Sequence, residues 1–194
     1  MELLWELDLT QVNEEELERW LGEMDEGSRT RVDAMSNPRR RKEIIAGDHL
    51  ARTALAEKRG KAPGEIVIHR GENGKPYAEG GCFSISHSGE RVVCAVSERA
   101  VGVDVEKIRP TPARVAERYF SDGEKQLLQQ DSDAFWRIWT GKEALCKLTG
   151  EGLAGICRCD TMHPPENVML TCSVSGGYVI SVAMEGFDNF LKSE

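Results

Sequence analysis

Two short stretches of the chain carry the residues whose types and spacing could do chemistry. One stretch places Asp104 and Glu106 among valines, and the other places Glu143 and Lys147 four positions apart. Side chains of a strand alternate between its two faces, so Asp104 and Glu106 are predicted to project to one side. On a helix, Glu143 and Lys147 lie one turn apart on the same face. If the two segments pack together, three carboxylates and one ammonium converge, which suits a hard divalent cation beside a phosphate.

Asp104, Glu106 and Glu143 are therefore the candidate metal ligands. Mg²⁺ takes hard oxygen ligands, usually a few carboxylates together with water and phosphate oxygens. Taken alone, two acids on a strand could equally form a solvated surface. Gly102 and the flanking valines, however, are typical of a strand whose opposite face is buried, and they favour the metal site.

Candidate anion ligands lie in the first half of the chain. A turn at residues 73–77 contains Gly74, which would let the backbone approach a ligand, and Lys75, which could reach a phosphate; an ordinary surface loop is the alternative. Ser86 and His87 end a predicted strand. Adjacent strand residues point to opposite faces, so this pair suits phosphate binding better than nucleophilic catalysis.

Charge is segregated along the chain. The net charge is −8, which argues against a dedicated nucleic-acid-binding protein. Residues 27–61 nevertheless carry ten Lys or Arg against four acids, which indicates either a local anion site or a solvated helix face. No apolar run is long enough to cross a membrane, and the acidic start does not resemble a signal peptide, so a cytoplasmic protein is expected.

Six cysteines are scattered along the chain, mostly in apolar runs. Without export signals they are predicted to be buried small hydrophobic residues rather than disulfides. Cys157 and Cys159, with His163 nearby, make only a weak zinc signal, because a second pair of ligands at the usual spacing is missing.

The order of predicted elements repeats along the chain. A strand at the N-terminus, helices that include one from Pro38 to Arg59, and strands near 66–68, 82–86 and 92–97 are followed by a similar series from residue 101, with strands near 155–159, 168–174 and 178–184. This pattern predicts an internal duplication with a period of roughly 85–100 residues. We therefore expect an α+β fold of two similar lobes, residues 1–99 and 100–194, with a pseudo-twofold seam near residue 100. A single continuous α/β domain is the alternative.

Four motifs together resemble one known family. In the same order and at similar spacing, they resemble motifs of the Sfp-type 4′-phosphopantetheinyl transferases: Asn73-Gly-Lys-Pro76, Phe83-Ser-Ile-Ser-His-Ser-Gly89, Gly102-Val-Asp-Val-Glu106-Lys and Trp139-Thr-Gly-Lys-Glu143-Ala-Leu-Cys-Lys147. The resemblance covers nearly the whole chain. It implies a two-lobed, pseudo-dimeric fold with a coenzyme A site at the seam.

The resemblance also implies a reaction. Mg²⁺, or Mn²⁺ in its place, would be bound by Asp104, Glu106 and Glu143 and would bridge the pyrophosphate of coenzyme A. A serine of an apo acyl or peptidyl carrier protein would attack the β-phosphorus and release 3′,5′-ADP. Lys147 would touch the pyrophosphate, and Glu143 would help to deprotonate the serine. Glu124 matches a further family carboxylate near the metal, as ligand or as base.

The remaining expected contacts concern coenzyme A. Ser86 and His87 would contact its phosphates, and Lys75 and Pro76, next to Gly74, would line the adenine end. In the family an arginine of the basic helix binds the 3′-phosphate, but the matching position here is Glu43, so Arg40, Arg41 or Lys42 must serve.

Two other classes of function are alternatives to the transferase. A non-catalytic protein that binds coenzyme A or a carrier protein is disfavoured, because clustered acids without a metal repel one another. A metal-dependent nuclease is disfavoured by the acidic net charge. Two fused lobes would make a complete site, so a monomer is expected. Fatty-acid, polyketide and nonribosomal-peptide carriers remain alternatives as the protein substrate.

Overall fold

The computed structural model describes residues 4–71, 74–79 and 81–186. The described strands are β1 (Leu4–Asp8), β2 (His69–Arg70), β3 (Pro76–Tyr77), β4 (Cys82–Ser88), β5 (Arg91–Ser97), β6 (Val101–Lys107), β7 (Val168–Ser175) and β8 (Tyr178–Glu185). The α-helices are α1 (Glu14–Glu23), α2 (Glu26–Asp33), α3 (Pro38–Arg59), α4 (Ala113–Tyr119), α5 (Asp122–Gln130) and α6 (Ala134–Thr149). Short 3₁₀ helices occur at Leu9–Gln11, Pro63–Glu65 and Gly152–Arg158.

Helix α3 covers one face of an antiparallel sheet of order β1-β5-β4. It begins where the sequence predicts, because Asn37 accepts a hydrogen bond from the Arg40 amide (3.0 Å) and Pro38 occupies the first turn. It ends at Gly60, whose φ of 62° is the left-handed conformation that glycine adopts without strain. Apolar side chains of α3 and of β5 form the core between them.

The second sheet has the order β6-β8-β7 and is covered by α6. Val101, Val103 and Val105 of β6 face the first sheet, where they pack against Val93 and Ala95 of β5. The other side of β6 faces α6. The layers therefore follow the order α3, first sheet, second sheet, α6, and this stacking places β6 between β4 and the helix that carries Glu143 and Lys147.

Three alternate serines of β4 bridge the two sheets. Ser84 Oγ accepts a hydrogen bond from the Val103 amide (3.1 Å), and Ser88 Oγ accepts one from the Lys107 amide (3.1 Å). Ser86, between them, donates to a side chain of β6. Since residues two apart share one face of a strand, this spacing gives β4 a polar row along β6.

Several sequence expectations need correction. The apolar run at 66–68 is not a strand, although Ile66 and Ile68 are buried, and the short strand follows it at His69–Arg70. Residues 152–158 form a 3₁₀ helix where a strand was expected. The prediction that the cysteines are buried is wrong for Cys82, Cys157 and Cys172, which are exposed.

Both halves of the chain combine helices with a three-stranded antiparallel sheet, so the mixed α and β composition is confirmed. In each sheet the third strand along the chain lies between the first and the second. Among the described helices, none is long and apolar enough to cross a membrane.

Candidate functional site

Three carboxylates converge beside the seam between the two sheets. Asp104 and Glu106 come from β6 and Glu143 from α6, and one oxygen of each lies within 4.8 Å of the others. Alternation along β6 turns both acids to the side that faces the helix, as their spacing predicts. Asp104 is almost fully buried, with 3% of its surface exposed. The structure thus brings together the three residues expected to hold a metal.

Helix α6 approaches β6 this closely because Gly102 has no side chain. A Cβ atom built on Gly102 would lie 2.0 Å from the Ala144 carbonyl oxygen and 2.5 Å from the Leu148 amide nitrogen. Both of these atoms belong to the backbone of α6, so no side-chain rotation could relieve the contact. Gly102 therefore sets the distance between the strand and the helix that supply the carboxylates.

The charges in this group are not balanced by the protein alone. Burial, followed by the neighbouring charge of Asp104, raises the pKa of Glu143 to about 7. Burial also raises the pKa of Glu106, although the Ser88 hydroxyl donates to its carboxylate (2.6 Å). Asp104 Oδ2 is buried and has no hydrogen-bond partner among the residues that the structure describes. A divalent cation fits this arrangement, because it would partner the orphaned oxygen and relieve the repulsion.

Lys147 joins the carboxylates to the first sheet. Its Nζ atom donates to Asp104 Oδ1 (2.7 Å) and to Ser86 Oγ (2.8 Å), and Ser86 Oγ also contacts Asp104 Oδ1 (2.7 Å). These three side chains come from α6, β4 and β6. Lys147 keeps 30% of its side chain exposed, so its ammonium can still meet a ligand.

A second polar group lies where α3 meets the end of β4. Arg40 Nη1 contacts His87 Nε2, and Glu43 Oε2 lies 3.3 Å from His87 Nδ1 and 3.6 Å from Arg40 Nη1. Burial lowers the pKa of His87, and the charge of Glu43 opposes that shift. The acid found at position 43 thus links the histidine to the basic helix.

The three basic candidates of α3 have different surroundings. Arg40 contacts His87, whereas Arg41 Nη2 pairs with Asp33 Oδ1 (3.4 Å) and Lys42 Nζ donates to the Val12 carbonyl (2.8 Å). Successive helix residues are about 100° apart around the axis, so adjacent side chains cannot share one environment. Only Arg40 of these three is in contact with another candidate site residue.

Two further arginines were not singled out from the sequence. Burial lowers the pKa of Arg31, and the nearby charge of Arg40 lowers it further. The pKa of Arg70 is likewise lowered by burial and by the charge of Arg31. Arg31 Nε is buried without a hydrogen-bond partner in the described part of the chain. The only sequence signal was the basic composition of residues 27–61, which includes Arg31 but does not distinguish it.

A pocket of about 250 Å³ opens between the two halves. Lys75 crosses this region, since its Nζ atom donates to the carbonyl oxygens of Lys147 (2.5 Å) and Leu148 (3.1 Å) at the end of α6. The ammonium thus meets the negative end of the helix dipole. The pocket is lined by residues of β4, of the Lys75 turn and of α6 with the segment after it: Gly74, Lys75, Pro76, Phe83, Ser84, Ile85, Cys146, Lys147, Gly150 and Gly152.

Glu124 is not a member of the group formed by the three carboxylates. It is fully buried, and Oε2 accepts hydrogen bonds from Lys142 Nζ (2.8 Å) and from the Ser121 amide (2.8 Å). Oε1 accepts from the amide (2.8 Å) and hydroxyl (2.9 Å) of Thr161. These contacts tie α5 to α6 and do not include Asp104, Glu106 or Glu143.

The comparisons of this chain with known proteins all point to the same family. A sequence model of the 4′-phosphopantetheinyl transferase superfamily matches residues 100–184, which contain β6 and α6. A 4′-phosphopantetheinyl transferase of Bacillus subtilis is 40% identical over 118 residues, which cover 57% of this chain and 53% of the relative. This chain thus spans about half the length of that relative.

Two other relatives match over longer stretches. The 4′-phosphopantetheinyl transferase HetI of Nostoc sp. is 33% identical over 165 residues, covering 78% of this chain and 69% of HetI. The 4′-phosphopantetheinyl transferase Sfp of Bacillus subtilis strain 168 is 30% identical over 151 residues, covering 74% of this chain and 67% of Sfp. These matches extend beyond the metal-site motifs into the first half of the chain. The chain therefore belongs to the 4′-phosphopantetheinyl transferase family.

Proposed function

We propose that this protein transfers the 4′-phosphopantetheine group of coenzyme A to a serine of an apo acyl or peptidyl carrier protein and releases 3′,5′-ADP. One observation carries the proposal: Lys147, Ser86 and Asp104 meet within hydrogen-bond distance beside a pocket that both halves of the chain line. Phosphoryl transfer needs positioned cations and acceptors more than covalent chemistry, and this group supplies them. The family of the chain gives independent support.

Asp104, Glu106 and Glu143 would hold the metal ion, for which Mg²⁺ and, in its place, Mn²⁺ are the hard cations that oxygen ligands suit. When bound, the ion would neutralise charge on the pyrophosphate oxygens and on the leaving group. The orphaned Asp104 Oδ2 and the raised pKa of Glu143 support this assignment, since both indicate a site short of positive charge.

The side chains of the site have separate roles in the proposal. Lys147 would turn from Asp104 and Ser86 to the pyrophosphate, where its charge offsets the charge that develops during transfer. Glu143 would also help to deprotonate the attacking serine; its pKa of about 7 applies to the site without the metal, whose charge would lower it. Glu124 would position the site through Lys142, the residue before Glu143, because its contacts lead to that lysine.

Coenzyme A would lie across the two halves. Gly74, Lys75 and Pro76 would line its adenine end; the Lys75 ammonium is held by the end of α6, so its aliphatic chain would face the ligand. Ser86 and His87 would contact its phosphates. For the 3′-phosphate, Arg40 is favoured over Arg41 and Lys42, because it alone of the three contacts His87.

The proposal also includes the organisation of the chain. Residues 1–99 and 100–194 would form two lobes related by a pseudo-twofold axis, which the matching strand order of the two sheets supports. A pocket lined by both lobes needs no second copy of the chain, which supports a monomer. We place the protein in the cytoplasm, with neither nucleic acid nor membrane among its partners, in keeping with its net charge of −8.

Mass spectrometry of intact carrier protein tests this function. The protein is incubated with an apo carrier protein, coenzyme A and Mg²⁺, and we expect the carrier to gain the mass of one phosphopantetheine group. A carrier whose attachment serine is replaced by alanine is the control and should gain nothing. If several carrier types stayed unmodified while calorimetry showed coenzyme A binding, the protein would be a non-catalytic binder.

A further inference from the structure

Two cysteines lie side by side next to the pocket. Cys146 is in the last turn of α6, and Cys159 directly follows the 3₁₀ helix Gly152–Arg158. Their Sγ atoms are 3.2 Å apart. A disulfide bond is about 2.05 Å long, so the two sulfurs would have to move roughly 1 Å closer to be joined.

The two thiols are not equivalent. The hydrogen bond from Cys146 lowers the pKa of Cys159, and the charge of Lys142 contributes in the same direction. The same hydrogen bond and burial raise the pKa of Cys146. The charges that face the pair are Lys142 and Arg158, which favour a thiolate, and Glu143 and Glu151, which oppose it. Cys159 is thus the thiol of the pair that ionises more readily, and the thiolate is the form that attacks an oxidant.

The two cysteines also differ in solvent exposure, and this difference again favours Cys159 as the reactive thiol. Cys159 is partly exposed, whereas Cys146 is buried, with 2% of its surface exposed. A small oxidant can therefore reach Cys159, and Cys146 lies behind it as the second sulfur. Cys157 is exposed two residues before Cys159, which makes it the natural comparison.

We propose that Cys146 and Cys159 are a redox-active dithiol that a peroxide converts to an intramolecular disulfide. The Cys159 thiolate attacks one oxygen of hydrogen peroxide; an S–O bond forms, the O–O bond breaks, and hydroxide leaves. Cys146 sulfur then attacks the sulfur of Cys159, the S–S bond forms, and the S–O bond breaks to release a second hydroxide, which takes the Cys146 proton to become water. Overall, the two thiols lose two electrons and two protons, and hydrogen peroxide is reduced to two molecules of water.

The disulfide would change the wall of the pocket. Cys146, Gly150 and Gly152 line it, and the bond would close the loop from 146 to 159 that carries all three. A cross-link restricts the opening of the loop that it closes. We therefore expect slower amide hydrogen exchange in residues 150–158 of the oxidised protein. This inference rests on the thiol geometry and does not depend on the proposed transferase activity.

Peptide mapping after oxidation tests the pair. The full chain is treated with hydrogen peroxide, remaining thiols are alkylated, and the digest is analysed with and without prior reduction. We expect one disulfide, between Cys146 and Cys159, a mass loss of two hydrogen atoms, and full reversal by dithiothreitol. Oxidation of Cys159 to a sulfinic acid without a disulfide, or a disulfide that joins only Cys157 to another cysteine, would overturn the proposal.

Matched serine variants separate the partners. Cys159→Ser, at the partly exposed position, should abolish the disulfide, and Cys146→Ser should leave Cys159 as a sulfenic acid that a dimedone probe traps. Cys157→Ser is the control and should oxidise like the unsubstituted protein. Circular dichroism establishes that each variant is folded. If Cys159→Ser formed the same amount of intramolecular disulfide, or if only Cys157→Ser prevented it, the assignment would be wrong.

Discussion

Replacing Gly102 by alanine tests how the metal ligands are held together. The new Cβ atom would lie 2.0 Å from the Ala144 carbonyl oxygen, whereas an ordinary contact is at least 3.4 Å. Strand β6 and helix α6 must then move apart by about 1.4 Å, the difference between these distances. Overpacking of this kind costs about 1–3 kcal/mol of stability, and the rigid backbone partners favour the upper end.

The same displacement would open the site. A shift of about 1.4 Å would lengthen the 2.7 Å contact between Lys147 Nζ and Asp104 Oδ1 to at most about 4 Å, which is beyond hydrogen-bond distance. Mg²⁺ demands near-ideal geometry, so we expect its affinity to fall about 10- to 100-fold. A misplacement of about 1 Å can also slow the chemical step by about 100-fold.

Urea unfolding, calorimetric Mg²⁺ titration and the carrier assay measure these three effects for Gly102→Ala. Gly22→Ala is the matched control, because a Cβ atom on Gly22 meets nothing within 4 Å and this glycine lies within α1. That control should gain up to about 1 kcal/mol of stability. If Gly102→Ala matched the unsubstituted protein in stability and in Mg²⁺ affinity, the close approach of β6 and α6 would not determine the positions of the metal ligands.

Three further predictions concern charged groups. Without Mg²⁺, the pKa of Glu143 in the folded protein is about 7, above its ordinary value of 4.5. The free energy of unfolding is therefore highest below pH 4.5 and falls as the pH rises through 7, because ionising the buried carboxyl is unfavourable. Relative to Glu143→Gln, we expect the unsubstituted protein to lose about 2 kcal/mol of stability between pH 4.5 and 8, after allowing for screening by water. Urea unfolding measures this difference, and an equal pH dependence of the two proteins would contradict the raised pKa. Lys142→Met removes the positive charge beside the buried Glu124 carboxylate, so it should cost about 3–5 kcal/mol of stability in the same assay. A cost below about 1 kcal/mol would show that the pair is not structural. Arg40→Ala should weaken coenzyme A binding about tenfold by calorimetry, whereas Arg41→Ala should leave it nearly unchanged; the reverse order would exclude Arg40 as the 3′-phosphate ligand.

Local rules account for the parts of the structure that the sequence predicted. Alternation along β6 places Asp104 and Glu106 on one side, and the four-residue spacing places Glu143 and Lys147 on one face of α6. The ends of α3 follow from the cap at Asn37 and the left-handed conformation of Gly60. These features depend on neighbours along the chain, so the residue types alone indicate them.

The features that the sequence did not predict depend on contacts between distant residues. Ile66, Ile68 and Ile156 are buried without forming the expected strands, because an apolar run indicates burial but not backbone pairing. The meeting of Cys146 with Cys159 has no local signal, since it depends on how the segment after α6 folds back.

The surroundings of the charged candidate site residues also depend on contacts between distant parts of the chain. Which of three adjacent basic residues reaches His87 is decided by how α3 rotates against β4, and the sequence left all three open. The resemblance implies that Glu124 lies near the metal, which stays a prediction, and its ion pair with the buried Lys142 could not be read from the sequence.

The most direct test of the proposed function is the carrier-protein mass assay, run with the unsubstituted protein and with Asp104→Ala. Asp104 contributes the orphaned oxygen of the metal group and the contact with Lys147, so its loss removes both. We expect phosphopantetheine on the carrier with the unsubstituted protein and Mg²⁺, none after chelation by EDTA, and none with the folded Asp104→Ala variant. Modification of the carrier at an undiminished rate by Asp104→Ala would contradict the assignment of this carboxylate group as the centre of transfer.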